Sequence, residues 1–256
     1  MLPFYHGIDK TSIRVCNILG VDIAAVTMCE LVDFTLKNIN KLSGDYITVA
    51  NVHTTVTAHD NIDYRKIQNG GIMAIPDGGP LSSIGRKRGY VMERTTGPAY
   101  MEQILKISEK HGWTHFFYGS TESTLEKLSV VLKRKYPNLE IAGMYSPPFR
   151  QLTKEEDESI IAEINKYKPD FVWVGLGAPK QEYWMAAHQG KVTGLMVGVG
   201  AAFDYFAGNI KRAPQWMQKN NLEWLYRWLQ EPKRLFRRYF ITNSKFIWYM
   251  VKDKDA

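Results

Sequence analysis

The sequence of 256 residues has only two cysteines, Cys16 and Cys29, and no run of roughly 18 to 20 apolar residues. Two cysteines without metal-ligand spacing argue against a disulfide framework and favour a reducing compartment. Near the first residue there is no basic flank followed by an apolar run, so a secretory signal peptide is not expected. The composition predicts a cytoplasmic protein whose contact with a membrane is peripheral.

Motifs for metals and dinucleotides are also scarce. The one Asp-x-Asp string, a pair that nucleotide-sugar enzymes often use to hold a divalent ion, is Asp253-Lys-Asp255 at the end of the chain, and the six histidines show no ligand spacing. Gly175-Leu-Gly177 and Gly198-Val-Gly200 each follow a predicted strand, but neither completes G-x-G-x-x-G. We therefore expect no metal and no dinucleotide cofactor.

The basic excess is confined to the last fifth of the chain. Residues 209–256 contain 11 Lys and Arg against 4 Asp and Glu, whereas residues 1–208 contain 22 of each class. Bulky aromatic and aliphatic side chains are interleaved with this charge, and Pro232 divides the segment into at least two helices. Basic, aromatic-rich amphipathic helices favour an anionic membrane surface. The alternative is a helical pair that packs on the sheet and solvates its charged face.

The first 208 residues alternate between short apolar strands and amphipathic helices. Because most strands are nearly continuous in apolar residues, the pattern predicts an α/β fold with a mostly parallel, Rossmann-like sheet covered by helices on both faces. We predict a core domain over residues 1–208 and a basic, aromatic helical appendage over residues 209–256. In such a sheet, ligands bind beyond the carboxyl ends of the strands. The loops expected there are 51–53, 76–80, 119–121, 175–181 and 198–204.

Asp77 and the glycine pairs are the main candidates for chemistry in these loops. Asp77 follows a buried strand, so its carboxylate could take the proton of an attacking hydroxyl group; Pro-Asp-Gly is equally a common turn. The glycine pairs could bring backbone N–H groups close to a diphosphate or could simply form tight turns. Without a metal, fixed cations must neutralise a departing diphosphate, and Arg227, Arg234 and Arg237 are placed to do so unless they only solvate a helix face.

Six ordered motifs make the sequence resemble the WecG/TagA/CpsF family of bacterial glycosyltransferases, the capsular-polysaccharide type in particular, from about Ile18 to Tyr239. The motifs are Asn51-Val-His-Thr-Thr55, Ile75-Pro-Asp-Gly-Gly-Pro-Leu81, Arg94-Thr-Thr-Gly-Pro98, Gly175-Leu-Gly-Ala-Pro-Lys-Gln-Glu182, Gly198-Val-Gly-Ala-Ala-Phe-Asp204, and a set running from Lys211-Arg-Ala-Pro-Gln-Trp216 to Tyr239. The resemblance implies inverting, metal-independent transfer from a UDP-sugar, with donors of the N-acetylmannosamine type among the family's substrates. The implied acceptor is a sugar on a polyprenyl-diphosphate carrier at the cytosolic face of the membrane.

The resemblance also implies roles for individual residues. The matching catalytic set is Asp77, Gln181, Arg227, Arg234 and Arg237. The substrate-binding residues expected from the matching motifs and the strand-end loops are Asn51, Arg94, Gly119, Gly175, Gly177, Lys180, Gly198, Gly200 and Asp204. Many members have Thr two residues before the matching Asn, where this chain has Val49, and this departure bears on the acceptor sugar. Self-association into a homo-oligomer is left open.

Two other functions fit part of the pattern. A nucleotide-dependent oxidoreductase would fit the sheet but lacks the complete glycine fingerprint. A nucleic-acid-binding module would explain the basic tail but leaves Asp77 and the glycine loops without a role. We therefore predict a glycosyltransferase that has a UDP-sugar, a polyprenyl-diphosphate saccharide and an anionic membrane as partners, and no nucleic acid.

Overall fold

The computed structural model of the protein describes residues 8–214, 216–217 and 222–252, except for the side chains of residues 233, 234 and 236–238. One eight-stranded sheet runs through it. The strands are β1 (Val15–Ile18), β2 (Val21–Ala24), β3 (Tyr46–Ala50), β4 (Met73–Pro76), β5 (Thr114–Gly119), β6 (Glu140–Tyr145), β7 (Phe171–Gly175) and β8 (Leu195–Gly198).

The strand order is β1-β2-β4-β3-β8-β7-β5-β6, with β1 antiparallel to β2 and every other pair parallel. The described helices are α1 (Met28–Asn38), α2 (Val52–Asp60), α3 (Ile62–Gly70), α4 (Gly79–Lys87), α5 (Gly97–His111), α6 (Glu122–Lys135), α7 (Lys154–Lys166), α8 (Lys180–Ala187), α9 (Ala202–Phe206), α10 (Glu223–Gln230) and α11 (Pro232–Lys252). Short 3₁₀ turns occupy Lys10–Ser12 and Ile39–Lys41.

Side chains of the central strands alternate between two helical layers. In β7, Phe171 and Trp173 join the core beneath α1, α5, α6 and α9, whereas Val172 and Val174 join the core beneath α7 and α8. A further cluster lies beneath α2, α3 and α4. The prediction of a mostly parallel α/β sheet with helices on both faces is confirmed, and the buried strands read as apolar runs because both of their faces are covered.

Three local features differ from the apolar pattern or from the expected loops. β1 is a strand that the apolar pattern did not reveal, because its alternating exposed and buried residues are only four in number. The first helix begins at Met28 and not at the apolar residues before it, because Thr27 forms a capping box with Glu30. The segments 51–53, 76–80, 175–181 and 198–204 are only partly loops, since helices begin inside them at Val52, Gly79, Lys180 and Ala202.

The C-terminal helix α11 presents two apolar faces. On the inner face Phe246 is buried in the cluster beneath α2, and Lys245 Nζ and Tyr249 Oη donate hydrogen bonds to Asp60 at 2.6 and 2.5 Å. The outer face is exposed and consists of Phe240, Ile241, Ile247, Trp248 and Val251. Among the described helices none has the length and apolarity to cross a bilayer. The expected break at Pro232 is confirmed, whereas the domain boundary at residue 208 stays a prediction.

Candidate active site

The ends of β3 and β4 bring Asn51 and Asp77 side by side at the rim of the sheet. The two strands are neighbours, and the Asp77 N–H donates to the carbonyl of Ala50 at 2.7 Å. The side chain of Asp77 is 26% exposed. Asn51 caps α2, because its side-chain oxygen accepts from the Thr54 N–H at 3.1 Å. Asp77 therefore lies at the carboxyl edge of the sheet, as expected, and its part in ligand binding stays a prediction.

Arg94 lies between Asp77 and the C-terminal segment. The N–H of Thr95 donates to the Pro76 carbonyl at 2.7 Å, which fastens the Arg94 loop to the end of β4. One guanidinium nitrogen, Nη2, lies 3.7 Å from Asp77 Oδ1 and 2.5 Å from Glu223 Oε2. Arg94 thus contacts the predicted catalytic carboxylate and a carboxylate of α10 with the same nitrogen.

The helix α10 places a second arginine over the same region. Glu223 and Arg227 are one helical turn apart, so they share a face. The guanidinium carbon of Arg227 lies 5.9 Å from the centre of the Tyr205 ring in α9. Its Nε is buried and has no hydrogen-bond partner among the described residues. Of the three predicted tail arginines, Arg227 reaches the site, and the side chains of Arg234 and Arg237 lie outside the described residues.

The charges at this rim alter the proton affinity of Asp77. Burial raises the pKa of Asp77 to about 6; Arg94, Arg227 and Arg212 oppose this rise and the carboxylate of Glu223 adds to it. Burial alone would lower the pKa of Arg94, but the neighbouring carboxylates raise it. Asp77 is therefore mostly ionised at neutral pH yet more basic than an ordinary aspartate, which suits a general base.

Gln181 joins the two glycine turns. Its side-chain oxygen accepts the N–H groups of Gly177 and Gly200 at 3.2 and 3.0 Å, and its Nε2 donates to Glu182 Oε1 at 2.8 Å. Both glycines have positive φ, 77° and 56°, as such turns require. Contact with a diphosphate and a simple tight turn were both open for these two N–H groups, and in the structure they donate to Gln181. The amide of Gln181 thus fixes the shape of the cleft floor, and its predicted part in the chemistry stays a prediction.

Three of the predicted binding glycines permit close packing. A Cβ on Gly119 would lie 2.7 Å from Gly175, one on Gly175 would lie 2.7 Å from the Phe203 ring, and one on Gly198 would lie 2.9 Å from Gln181 Nε2. The structure therefore supplies a packing reason for these glycines, and their contact with substrate stays a prediction.

The remaining predicted residues spread along the strand ends. Lys180 is exposed in the first turn of α8, and Asp204 accepts from Asn209 Nδ2 at 3.1 Å on the side of α9 near α6. Gly119 ends β5, four strands away from β4, a separation of about 19 Å at the usual strand spacing. A ligand that touches both Asp77 and Gly119 must be extended. Val49 is 7% exposed and packs in the core, so this chain presents no hydroxyl group there.

Four residues of the region escaped sequence reasoning as individual candidates. Glu223 and Arg212 lie in the matched C-terminal motifs, and Tyr205 and Glu182 each follow a predicted site residue directly. The spacing of Glu223 four residues before Arg227 was a usable signal, because it puts both on one helix face. In the part of the chain that the structure describes, no group of three or more His, Cys, Asp or Glu side chains could hold a metal ion.

Comparisons with known proteins identify the family to which the chain is similar. Residues 16–255 match the model of the glycosyl transferase WecG/TagA/CpsF family. The chain is 31% identical over 236 residues to the N-acetylglucosaminyldiphosphoundecaprenol N-acetyl-β-D-mannosaminyltransferases of Staphylococcus aureus strains MW2 and MRSA252, and the alignment covers 90% of this chain and 90% of each relative. The match extends through the C-terminal helices, beyond Tyr239 where the motifs read from the sequence end.

Proposed function

The chain belongs to the WecG/TagA/CpsF family of glycosyl transferases, and from this premise we propose that it transfers an N-acetylmannosamine-type sugar from UDP to a polyprenyl-diphosphate-linked N-acetylglucosamine. The observation that carries the proposal is the meeting of Asp77, Arg94 and Arg227 at the carboxyl end of the sheet. The acceptor and the sugar are those on which the Staphylococcus aureus relatives act according to their names. In this chain the transfer serves the biosynthesis of a cell-surface polysaccharide such as a capsule.

The chemistry is a single displacement. Asp77 takes the proton from the acceptor hydroxyl group as its oxygen attacks the anomeric carbon. The bond between that carbon and the diphosphate oxygen breaks, and UDP leaves with the electron pair. Displacement from the face opposite UDP inverts the anomeric centre, so an α-linked donor gives a β linkage, as in the names of the relatives.

Arginines stabilise the departing diphosphate in this proposal. Arg227 keeps a buried Nε without a partner among the described residues, and its guanidinium is the nearest described cation of α10 to Asp77. Fixed donors aimed at developing charge lower the barrier because they need no reorganisation during the reaction. With this charge in place, the transfer proceeds without a divalent ion.

Membrane attachment brings the enzyme to its lipid-linked acceptor. The outer face of α11 exposes Ile247 to 64%, Trp248 to 56% and Val251 to 63%. Lys252 Nζ lies 5.0 Å from the centre of the Trp248 ring, so a cation accompanies the aromatic side chain as at membrane interfaces. We propose that this face inserts among the headgroups of the cytoplasmic leaflet, with the remaining basic residues attracted to anionic lipid.

A transfer screen tests the proposal. Purified full-length protein is incubated with UDP-N-acetylmannosamine, UDP-N-acetylglucosamine or UDP-glucose and a short-chain prenyl-diphosphate N-acetylglucosamine, with and without EDTA, and products are identified by mass spectrometry. We expect a disaccharide product with the first donor, at equal rates in EDTA. An acceptor that lacks the diphosphate serves as the control. No transfer from any UDP-sugar, together with a thermal shift by NAD, would favour the oxidoreductase instead.

A further inference from the structure

Glu223 of α10 and Asp77 of the rim compete for the same arginine. Arg94 Nη2 lies 2.5 Å from Glu223 Oε2 but 3.7 Å from Asp77 Oδ1. The exposed fractions of the three side chains are low, 20% for Arg94, 26% for Asp77 and 16% for Glu223. Water therefore screens these charges only weakly. Pairing of Arg94 with one carboxylate then has a large effect on the proton affinity of the other.

A closer approach of Arg94 would impair Asp77 as a base. An arginine that pairs fully with a carboxylate favours the charged form and lowers the carboxylate's affinity for a proton. In the observed arrangement the shorter contact belongs to Glu223, and the negative charge of Glu223 also disfavours a second charge on Asp77. Both effects act in the same direction and leave Asp77 readier to accept a proton.

The other charged groups around Asp77 do not replace Glu223. Arg212 and Arg227 are both positive and act against proton uptake by Asp77. Arg212 Nη1 also lies 3.6 Å from Glu102, and Arg227 lies over the Tyr205 ring. Burial raises the pKa of Tyr205, whose phenol is therefore neutral at the pH of the reaction. Among the described residues, Glu223 is thus the acidic group that opposes the three arginines at Asp77.

We infer that Glu223 is a positioning residue, which draws the guanidinium of Arg94 away from Asp77 so that this carboxylate is free to take the proton of the acceptor. The inference rests on the proposed function of Asp77 as the base. Glu223 is the first residue of α10. The helix that carries Arg227 therefore also places a negative charge beside Arg94 when it lies against the rim.

Direct titration of Asp77 tests the inference without relying on activity. The full-length protein is labelled with ¹³C at the aspartate side-chain carboxyl, and the Asp77 signal is identified by its loss in Asp77→Asn. We expect Glu223→Gln, which keeps the shape of the side chain but removes its charge, to lower the titration midpoint of Asp77 by about one pH unit. Glu223→Asp retains the charge and should restore part of this midpoint.

The matched control is Asp60→Asn. Asp60 binds Lys245 and Tyr249 of α11, so its loss loosens the C-terminal segment without removing a charge from the rim. We expect the Asp77 midpoint in this variant to stay within a few tenths of a unit of the wild type. If Glu223→Asp shows the same lowered midpoint as Glu223→Gln, the packing of the side chain and not its charge is responsible, and the inference is overturned.

The pH dependence of transfer then separates the inference from the proposed function. In Glu223→Gln the acid limb of the kcat profile should move to lower pH together with the carboxyl midpoint, and the plateau should fall about threefold to tenfold because the base is weaker. An unchanged midpoint in the titration overturns the inference, whatever the rates show. If the titration midpoint of Asp77 moves while the acid limb of the kcat profile stays in place, Glu223 does act on Asp77, but Asp77 is not the base.

Discussion

Asp77→Asn should stabilise the folded protein at neutral pH while it removes the proposed base. Burial raises the pKa of Asp77 from 3.8 to about 6, so the folded state holds this proton more tightly than the unfolded chain does. Each pH unit between the two values corresponds to about 1.4 kcal/mol, which gives a ceiling of about 3 kcal/mol. Because the side chain is 26% exposed, solvent screening reduces the expected gain to about 1–2 kcal/mol.

The sign of the pH dependence follows from the raised pKa. The wild type loses stability as pH rises from about 4 to about 6, since ionising Asp77 costs more in the folded state, and above this window the loss is complete. The variant has no such group, and Arg94 keeps Glu223 as its partner. The stability difference between variant and wild type should therefore grow from pH 4.5 to pH 7 and then stay constant.

Urea unfolding at a series of pH values measures this difference. Asp63→Asn is the control, because the Asp63 side chain is 76% exposed beside Lys66. The difference in unfolding free energy between this variant and the wild type should not grow between pH 4.5 and pH 7. A variant that is less stable than the wild type at pH 8, or a difference that does not change between pH 4.5 and pH 7, would refute the electrostatic reasoning about the rim.

Three further predictions concern rate, pH and the membrane. The kcat/KM of the wild type should rise with an apparent pKa near 6 as Asp77 ionises; a flat profile from pH 5 to pH 8 would remove it from the chemistry. Arg227→Gln should lower kcat about 10²–10³-fold, the usual loss for one donor to developing charge, and a rate within twofold of wild type would show that another cation holds UDP. Replacing both Ile247 and Trp248 by Ser should weaken sedimentation with anionic liposomes more than tenfold, at about 1.5–3 kcal/mol per side chain, and leave transfer to a detergent-soluble acceptor unchanged. The control for that last test is Val130→Ser, an equally exposed apolar residue of α6 (67%), and equal liposome binding by both variants would contradict membrane insertion of α11.

The fold could largely be predicted because the central strands are apolar along their whole length. Strands such as Phe171–Gly175 are covered on both faces, so their sequence carries the signal without regard to neighbours. The edge strand Val15–Ile18 has no such signal, since it is short and half exposed. The start of α1 depends on the capping box at Thr27, which outweighs the apolar residues that precede it.

The site could be predicted only as far as the strand ends define it. Asp77 was accessible to sequence reasoning because a carboxylate after a buried strand must stand at the rim. The sharing of Arg94 between Asp77 and Glu223 joins residues 129 positions apart in the chain, and no local pattern encodes such a contact. Gln181 shows the same limit, since its bonds to Gly177 and Gly200 depend on two loops meeting in space.

The turnover of Asp77→Asn tests the central claim most directly. Transfer from the donor identified in the screen to the prenyl-diphosphate acceptor is measured at saturating substrates and pH 7.5, for the wild type and for a variant shown by its unfolding curve to be folded. We predict a kcat about 10²–10⁴-fold below that of the wild type, the range expected for loss of one general base. A folded variant that retains a kcat within twofold of the wild type would contradict the account.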